Sequence, residues 1–506
     1  MRGRPEGKAA APGATREAVL DSTADLSDVV AIGAGQHVWL ESARTGRTVS
    51  RPRLREVCDA WAREAGTPSG VRLGLVAPEP TDFAVLYVAL VAAGLTVVPL
   101  DPSAAPGPNG ELLRRAGATA TVVRSDTPVD VPGVRLEVGP ELVPGPGARL
   151  PALGGQAAGA ERGGRAVGGV LLHSSGSTGP RKAVLLEEHR LLHVARAVAG
   201  HHRLGPEDRG YNPLPLFHVN AEVVAVLGSL VSGGTLVLDD RFHRTGFFDL
   251  LERCGVTWVN AVPAILSILA AEPGEPALPA GVRFVRSASA PLPLPVLRRF
   301  EERFGVPVVE TYGMTEAASQ ITANPLDARR AGSVGVPVGV DLRVVGGRVQ
   351  IRGPGVIRAY ADGAGAERFD AEGWLDTGDL GRLDADGYLY LEGRDGDVIN
   401  RGGEKVFPRE VEEVLLRHPG VRDAVVVPQD DPVLGQVPVA FVVAHGTRSG
   451  ASDGDLAAEV ARLAEQELPR SRRPVRVEVL EALPTGATGK VSRSAATALA
   501  RRAAAG

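Results

Sequence analysis

Short runs of β-branched and aliphatic residues alternate along this chain with stretches of helical periodicity. Residues 71–75 precede 81–93, 167–172 precede 187–199, and 235–238 precede 247–254, after which 256–260 is again strand-like. A period of two followed by a period of 3.6, repeated, is the pattern of parallel sheets covered by helices. At 506 residues the chain exceeds one ordinary core, so two or three domains are expected.

The pattern changes twice further on. Residues 143–164 are dense in Pro, Gly and Ala and read as a surface connection between two lobes. From 342 to 390 the helical period fades and short strands with Gly and Asp turns take over, as in a small β subdomain. After Gly393 a helix at 408–418 opened by Pro408, strands at 421–427 and 439–443, and a helix at 456–467 form a compact α+β module. Residues 84–100 are apolar throughout, yet Gly94 divides them into a helix and a short strand, so a buried α/β unit is expected rather than a membrane span.

Composition narrows the partners. A formal net charge of −4 with interspersed signs offers no field for nucleic acid. Residues 1–13 are basic and lack the apolar centre of a signal peptide, and Cys58 and Cys254 are too few for a disulfide framework; a cytoplasmic enzyme is expected. Lysine occurs only at 8, 182, 405 and 490 against abundant arginine. Where charge alone suffices such a chain uses Arg, so the remaining lysines point to places that need a compact ammonium.

Directly after the apolar run 169–172 comes Ser174-Ser175-Gly176-Ser177-Thr178-Gly179-Pro180-Arg181-Lys182. Small hydroxyl and glycine residues leave backbone N–H groups bare to cradle phosphate oxygens, with Lys182 supplying charge; a solvated Ser/Gly turn is the plainer alternative. Pro215-Leu216-Phe217-His218, Ser287-Ala288-Ser289-Ala290-Pro291-Leu292, Glu310-Thr311-Tyr312-Gly313-Met314-Thr315-Glu316, the run from Gly373 to Gly381 containing Asp379, Gly393-Arg394, Arg401-Gly402-Gly403-Glu404-Lys405 and Thr488-Gly489-Lys490 follow. Each alone has a bland reading: a core histidine, a capping Thr-Glu pair, an Asp turn, a surface lysine.

In this order the motifs resemble those of the adenylate-forming superfamily of acyl-CoA synthetases, nonribosomal adenylation domains and beetle luciferases, over roughly residues 35 to 493. The resemblance implies an α/β fold. A large N-terminal domain of two sheet-and-helix lobes plus a small β subdomain, residues 1–394, would be followed by a small mobile α+β domain, residues 395–506. It implies an acyl-CoA ligase that uses ATP and Mg²⁺ to make an acyl adenylate and then transfers the acyl group to coenzyme A.

Residue by residue, the resemblance gives Ser174, Ser175, Gly176, Ser177, Thr178, Gly179 and Lys182 to the phosphates. Ala288, Ser289, Ala290, Glu310, Thr311, Tyr312 and Gly313 line the adenine side, Thr315 meets the α-phosphate, and Glu316 is the Mg²⁺ ligand. Asp379 and Arg394 take the ribose; Gly402, Gly403 and Lys405 lie toward coenzyme A. Lys490, His218, Thr178 and Glu316 are implied in catalysis, His218 as a gate to the acyl pocket, with a hinge at Gly396.

The chain departs from the family at Gly396, where Asp or Lys is usual, at Pro180-Arg181-Lys182-Ala183, where the family prefers Pro-Lys-Gly, and at Ser287-Ala288-Ser289, where glycines are common. These departures open a reading in which adenylation is impaired while thioester formation from a supplied acyl adenylate survives. A free-standing ligase loading a carrier protein, a luciferase-like oxygenase and an inactive binder are the other rivals. Expected pocket walls at 218–223, 262–265 and before Pro291 are small and aliphatic, favouring an apolar or bulky acid with no basic partner for a second carboxylate. The sequence leaves the oligomeric state open, a homodimer included.

Overall fold

The computed structural model describes residues 24–31, 37–65, 70–104, 106–118, 120–126, 131, 133–145, 161–162, 165–173, 182–445, 453–485 and 491–505. Two large sheets carry the N-terminal part. One has six strands in the order Ala183–Glu187, Gly169–His173, Thr96–Pro99, Arg72–Val76, Ala120–Arg124, Val134–Val138, all parallel except the first pair. The other has nine strands, of which Val38–Ser42, Thr235–Leu238, Arg209–Asn212, Trp258–Ala261, Phe284–Ser287 and Val308–Tyr312 are parallel neighbours. The strand pair Val38–Ser42 and Thr48–Ser50, which extends this sheet, has too short a period to be read from sequence.

Helix Pro80–Ala92 joins the two sheets. Every residue after Pro80 is buried, and its side chains share one apolar cluster with Leu73 and Leu75 of the six-stranded sheet and Trp39 and Leu40 of the nine-stranded one. A helix apolar on all sides must be enclosed by protein or lipid. Here protein encloses it, and among the described residues no helix is long and apolar enough to cross a membrane. Asp82 in its first turn is buried and held by Arg47 and by Arg124 at 2.8 Å, placing the negative charge at the positive helix end.

A four-stranded antiparallel sheet, Asp341–Val345, Arg348–Arg352, Leu375–Leu383 and Leu389–Arg394, forms the small β subdomain. Beyond it, Glu404–Val406, Ile399–Arg401, Gly435–Ala444, Val421–Asp431 and Arg476–Leu480 make a five-stranded sheet. Helices Pro408–Leu415 and Asp453–Glu467 pack on it around a core of their own containing Val411, Val426, Val442 and Val460. The expected strands at 421–427 and 439–443 are longer in the structure because they pair along their whole length as one hairpin. Most of the expected connection at 143–164 lies outside the described residues.

Gly94 closes the buried helix. Its φ is +81°, its N–H donates to the Val91 carbonyl at 3.0 Å, and a Cβ there would lie 2.8 Å from the Ala166 carbonyl oxygen. Left-handed backbone and a crowded neighbour both exclude a side chain. Gly94→Ala is expected to destabilise the fold by about 2–4 kcal/mol, read as a lower urea-unfolding midpoint; an unchanged midpoint would contradict the packing described.

Candidate active site

Parallel strands end together, and ligand sites in α/β sheets lie beyond their carboxyl ends. Phe284–Ser287 and Val308–Tyr312 are neighbours with Ser287 opposite Glu310. The Thr311 hydroxyl donates to the Ser287 carbonyl at 3.1 Å, fixing the two strand ends to each other. Beyond them Ala288 is buried, whereas Ser289 and Ala290 are exposed on the cleft rim. Ser289 has φ +71°, a conformation that glycine adopts without strain. Gly313 approaches the Ser319 carbonyl so closely that a Cβ would lie 1.3 Å from its oxygen.

The β subdomain closes the cleft from the other side. Asp379 and Arg394 face each other in adjacent strands. The Tyr312 hydroxyl donates to Asp379 Oδ2 at 2.5 Å, and Arg394 Nε donates to Asp379 Oδ1 at 3.1 Å. Burial raises the Asp379 carboxyl above its ordinary range, while Arg394 and Tyr312 pull it back. The three residues assigned to nucleoside recognition thus meet as one chain of charge-assisted bonds, with two carboxylate oxygens suited to vicinal hydroxyls.

Glu316 lies in the single 3₁₀ turn Thr315–Ala317 and is buried. It accepts from the Tyr360 hydroxyl at 2.7 Å and from Arg368 Nη1 at 3.3 Å. Arg368 also donates to Tyr360 and, through Nε and Nη2, to the Asp376 carbonyl at 2.9 and 2.7 Å. Lys182 Nζ stands 4.9 Å from the Tyr360 ring centroid and 3.8 Å from Glu367. A buried carboxylate held by Tyr360 and Arg368, with Lys182 over the same tyrosine ring, fits a site where phosphate oxygens and a hard divalent ion are held together, since Mg²⁺ takes one or two carboxylates and completes its shell with phosphate and water. Tyr360 and Arg368 were not found from sequence, because neither stands in a recognisable motif.

His218, expected as the gate to the acyl pocket, stands just before an unusual helix. Its carbonyl accepts from the Ala221 and Glu222 N–H groups at 3.0 and 3.2 Å and so starts the π-helix Asn220–Leu227. Its ring packs on Phe217 with centroids 4.6 Å apart. π-turns are rare and gather at functional sites. Nearby stands a residue that sequence reasoning passed over, Arg286, which is 1% exposed in strand Phe284–Ser287. A lone arginine in an apolar strand was the available signal.

In the C-terminal module Gly402 and Gly403, at φ +60° and +92°, form the two-residue turn of the hairpin Ile399–Arg401 and Glu404–Val406. Lys405 is exposed opposite Asn400. Gly396 sits in the turn Asp395–Asp397, where a Cβ would meet nothing within 4 Å, so the loss of the usual side chain has no steric cause. Arg409 Nη2, from the first turn of Pro408–Leu415, reaches to 4.0 Å from Glu310 Oε1 and ties this module to the cleft. Ser174, Ser175, Gly176, Ser177, Thr178, Gly179 and Lys490 lie outside the described residues.

Glu310 is 4% exposed, and burial pushes its carboxyl up to about 7 although Arg409 pulls the other way. The folded protein keeps this proton in a range where the unfolded chain, at about 4.3, has lost it. Its contribution to stability is therefore complete below about 4.3 and disappears as pH rises through about 7. Relative to Glu310→Gln, the native protein should lose about 1.4 kcal/mol for each unit across that window. Urea unfolding of both proteins at several pH values checks this, and parallel profiles would count against it.

Comparison with known proteins agrees with this geometry. The family model described as AMP-binding enzyme matches residues 45–361, and the AMP-binding enzyme C-terminal domain matches 410–490. Sulfoacetate–CoA ligase of Cupriavidus necator is 37% identical over 504 aligned residues, covering 95% of this chain and 98% of that protein. Oxalate–CoA ligase of Arabidopsis thaliana is 36% identical over 348 residues, 64% of this chain and 66% of that protein. The structure of o-succinylbenzoate CoA synthetase from Bacillus subtilis with its acyl-adenylate intermediate matches with TM-score 0.75 at 26% identity, covering 93% of this chain and 97% of that one. ATP-bound MatB from Rhodopseudomonas palustris shares the fold with TM-score 0.82 at 24% identity, covering 94% and 99%. The strand-end cleft, its Tyr312–Asp379–Arg394 clamp and these matches together place the chain in the AMP-binding enzyme family, as an AMP-forming acid–thiol ligase.

Proposed function

We propose that this enzyme joins a carboxylic acid to ATP as an acyl adenylate with release of pyrophosphate, and then transfers the acyl group to coenzyme A with release of AMP. The observation that carries the reading is the meeting, in one cleft, of the Tyr312–Asp379–Arg394 clamp with the Glu316, Tyr360, Arg368 and Lys182 cluster. The clamp offers acceptors for ribose hydroxyls; the cluster offers charge of both signs for the triphosphate. Glu316 would hold Mg²⁺, which neutralises phosphate charge when bound. Thr315 and the loop from Ser174 to Gly179, with Thr178, complete phosphate binding, and Ala288, Ser289, Ala290, Glu310, Thr311 and Gly313 form the adenine side.

The second step needs a different set of groups. We assign it to the C-terminal module, taken as residues 395–506, turning about Gly396 so that Gly402, Gly403 and Lys405 face the pantetheine of coenzyme A and His218 gates the acyl side. The Arg409–Glu310 contact is the link that such a rotation would make or break. Two steps served by alternating faces of one module is a domain-closure mechanism of familiar kind.

The alternative with adenylation impaired draws less support from the departures than the sequence suggests. Ala183 stands in the regular strand Ala183–Glu187, its N–H donating to Asp362 Oδ2 at 3.0 Å, so this position has no need of glycine. Ser289 does carry positive-φ backbone, and this, the missing side chain at Gly396 and the Pro180-Arg181 departure, which lies outside the described residues, still favour that alternative. The acids named for the relatives, sulfoacetate, oxalate and 2-succinylbenzoate, each bear two acidic groups, which weighs against the purely apolar acid expected from the pocket walls, though 2-succinylbenzoate is bulky. Cys58 and Cys254 are both buried and free, in keeping with a reducing cytoplasm.

Lys490 is assigned the transition-state charge of adenylation. Lys490→Ala should slow acid-dependent pyrophosphate release on the order of 10²-fold or more while thioester formation from supplied acyl adenylate and coenzyme A persists. Replacing coenzyme A by a carrier protein in the same assay tests the acceptor. Unchanged pyrophosphate release in the variant would remove Lys490 from the mechanism.

A further inference from the structure

Arg286 carries a charge that the described protein does not neutralise. Its Nη1 donates to Asn220 Oδ1 at 2.8 Å and to Asn260 Oδ1 at 3.0 Å, and its Nη2 donates to Gln320 Oε1 at 2.7 Å. All three acceptors are neutral amides. Nε has no hydrogen-bond partner among the described residues. Burial alone lowers its basicity, to about 9, with no carboxylate among the causes. An arginine stays protonated even so, and a buried charge without a counter-ion is costly.

The guanidinium lies where the acyl-side segments converge. Asn220 is two residues past His218 and also donates through Nδ2 to Ser289 Oγ at 3.2 Å, on the cleft loop. Asn260 lies two residues before the wall at 262–265, and Gln320 follows the turn that bears Glu316. The amides are themselves anchored, Asn260 Nδ2 to Asn212 Oδ1 at 2.9 Å and Gln320 Nε2 to the Thr322 carbonyl at 3.2 Å, so their oxygens are turned toward Arg286. A scaffold that spends three oriented dipoles on one cation, and withholds a carboxylate, leaves the electrostatic complement to a ligand.

We propose that Arg286 is the anion receptor of the acyl pocket, and that the acid this ligase activates bears a second anionic group, carboxylate or sulfonate, which becomes the counter-ion of the guanidinium. The proposal rests on the ligase reading and deepens it by naming the substrate class and the residue that selects it.

The test uses the full chain with ATP, Mg²⁺ and coenzyme A, scoring pyrophosphate release and coenzyme A consumption separately. Acids are compared in pairs that differ by the second anionic group: sulfoacetate against acetate, malonate against propionate, 2-succinylbenzoate against benzoate. In at least one pair the doubly charged acid should be favoured in kcat/KM on the order of 10²-fold or more, since a site built around a polar group rejects analogues that lack it. Arg286→Gln, and Asn220→Asp, which would set a carboxylate beside Arg286 without removing it, should each collapse that preference, the change falling on KM for the acid rather than on those for ATP and coenzyme A. Singly charged acids used as well as their doubly charged partners, with brisk pyrophosphate release, would overturn the proposal and leave the ligase reading intact. A preference that survives both variants would equally overturn it, reducing Arg286 to a brace between three segments. Failure of every acid to release pyrophosphate, and of supplied acyl adenylate to give thioester, would instead sink the ligase reading itself.

Discussion

The bond chain from Tyr312 through Asp379 to Arg394 is the charged link between the parallel strand ends and the β subdomain at the cleft. Tyr312 ends a parallel strand of the nine-stranded sheet, whereas Asp379 and Arg394 belong to the antiparallel sheet of the β subdomain. Asp379 is 7% exposed, and a carboxylate so enclosed is tolerable only when its oxygens are occupied by strong donors. The requirement adds to the backbone bonds that join the same units, Val334 N–H to the Leu389 carbonyl at 2.9 Å and Leu389 N–H to the Gly335 carbonyl at 2.8 Å, and the cleft lies beside this contact.

Several charged groups of the cleft are held by protein partners. Asp379 is occupied by Tyr312 and Arg394, Glu316 by Tyr360 and Arg368, and Lys182 rests over the Tyr360 ring near Glu367. In the proposed reaction, ribose hydroxyls would compete for one carboxylate, a divalent ion for the other, and phosphate oxygens for the cations. Arg286 differs from these groups in having only neutral amides as partners.

Much of the architecture was legible in the sequence. The alternation of strand and helix periods places the sheets, Gly94 separates the buried helix from its strand, and the fading of helical period after residue 342 marks the β subdomain. The motif residues at 287–292, 310–316, 379 and 394 do converge, as their order implied. What escaped were residues whose importance lies in their neighbours. Tyr360 and Arg368 sit in a turn-rich stretch without a signature, and they matter because folding brings them to Glu316. Arg286 reads in sequence as an isolated charge in a strand, and the pocket walls around it read as apolar because its partners come from 220, 260 and 320.

The sequence by itself determined the class of fold, the family and the positions of the motifs, because each depends on local period or on short runs of chemically constrained residues. Only the tertiary structure decided which charges are paired. Pairing depends on distances between segments that lie tens to hundreds of residues apart, and on burial, which sets how much an unpaired charge costs. Thus Asp379, Glu316 and Glu310 are three carboxylates of similar appearance in sequence. In the folded protein one is clamped by Tyr312 and Arg394, one is held by Tyr360 and Arg368, and one is driven up to about 7 by burial.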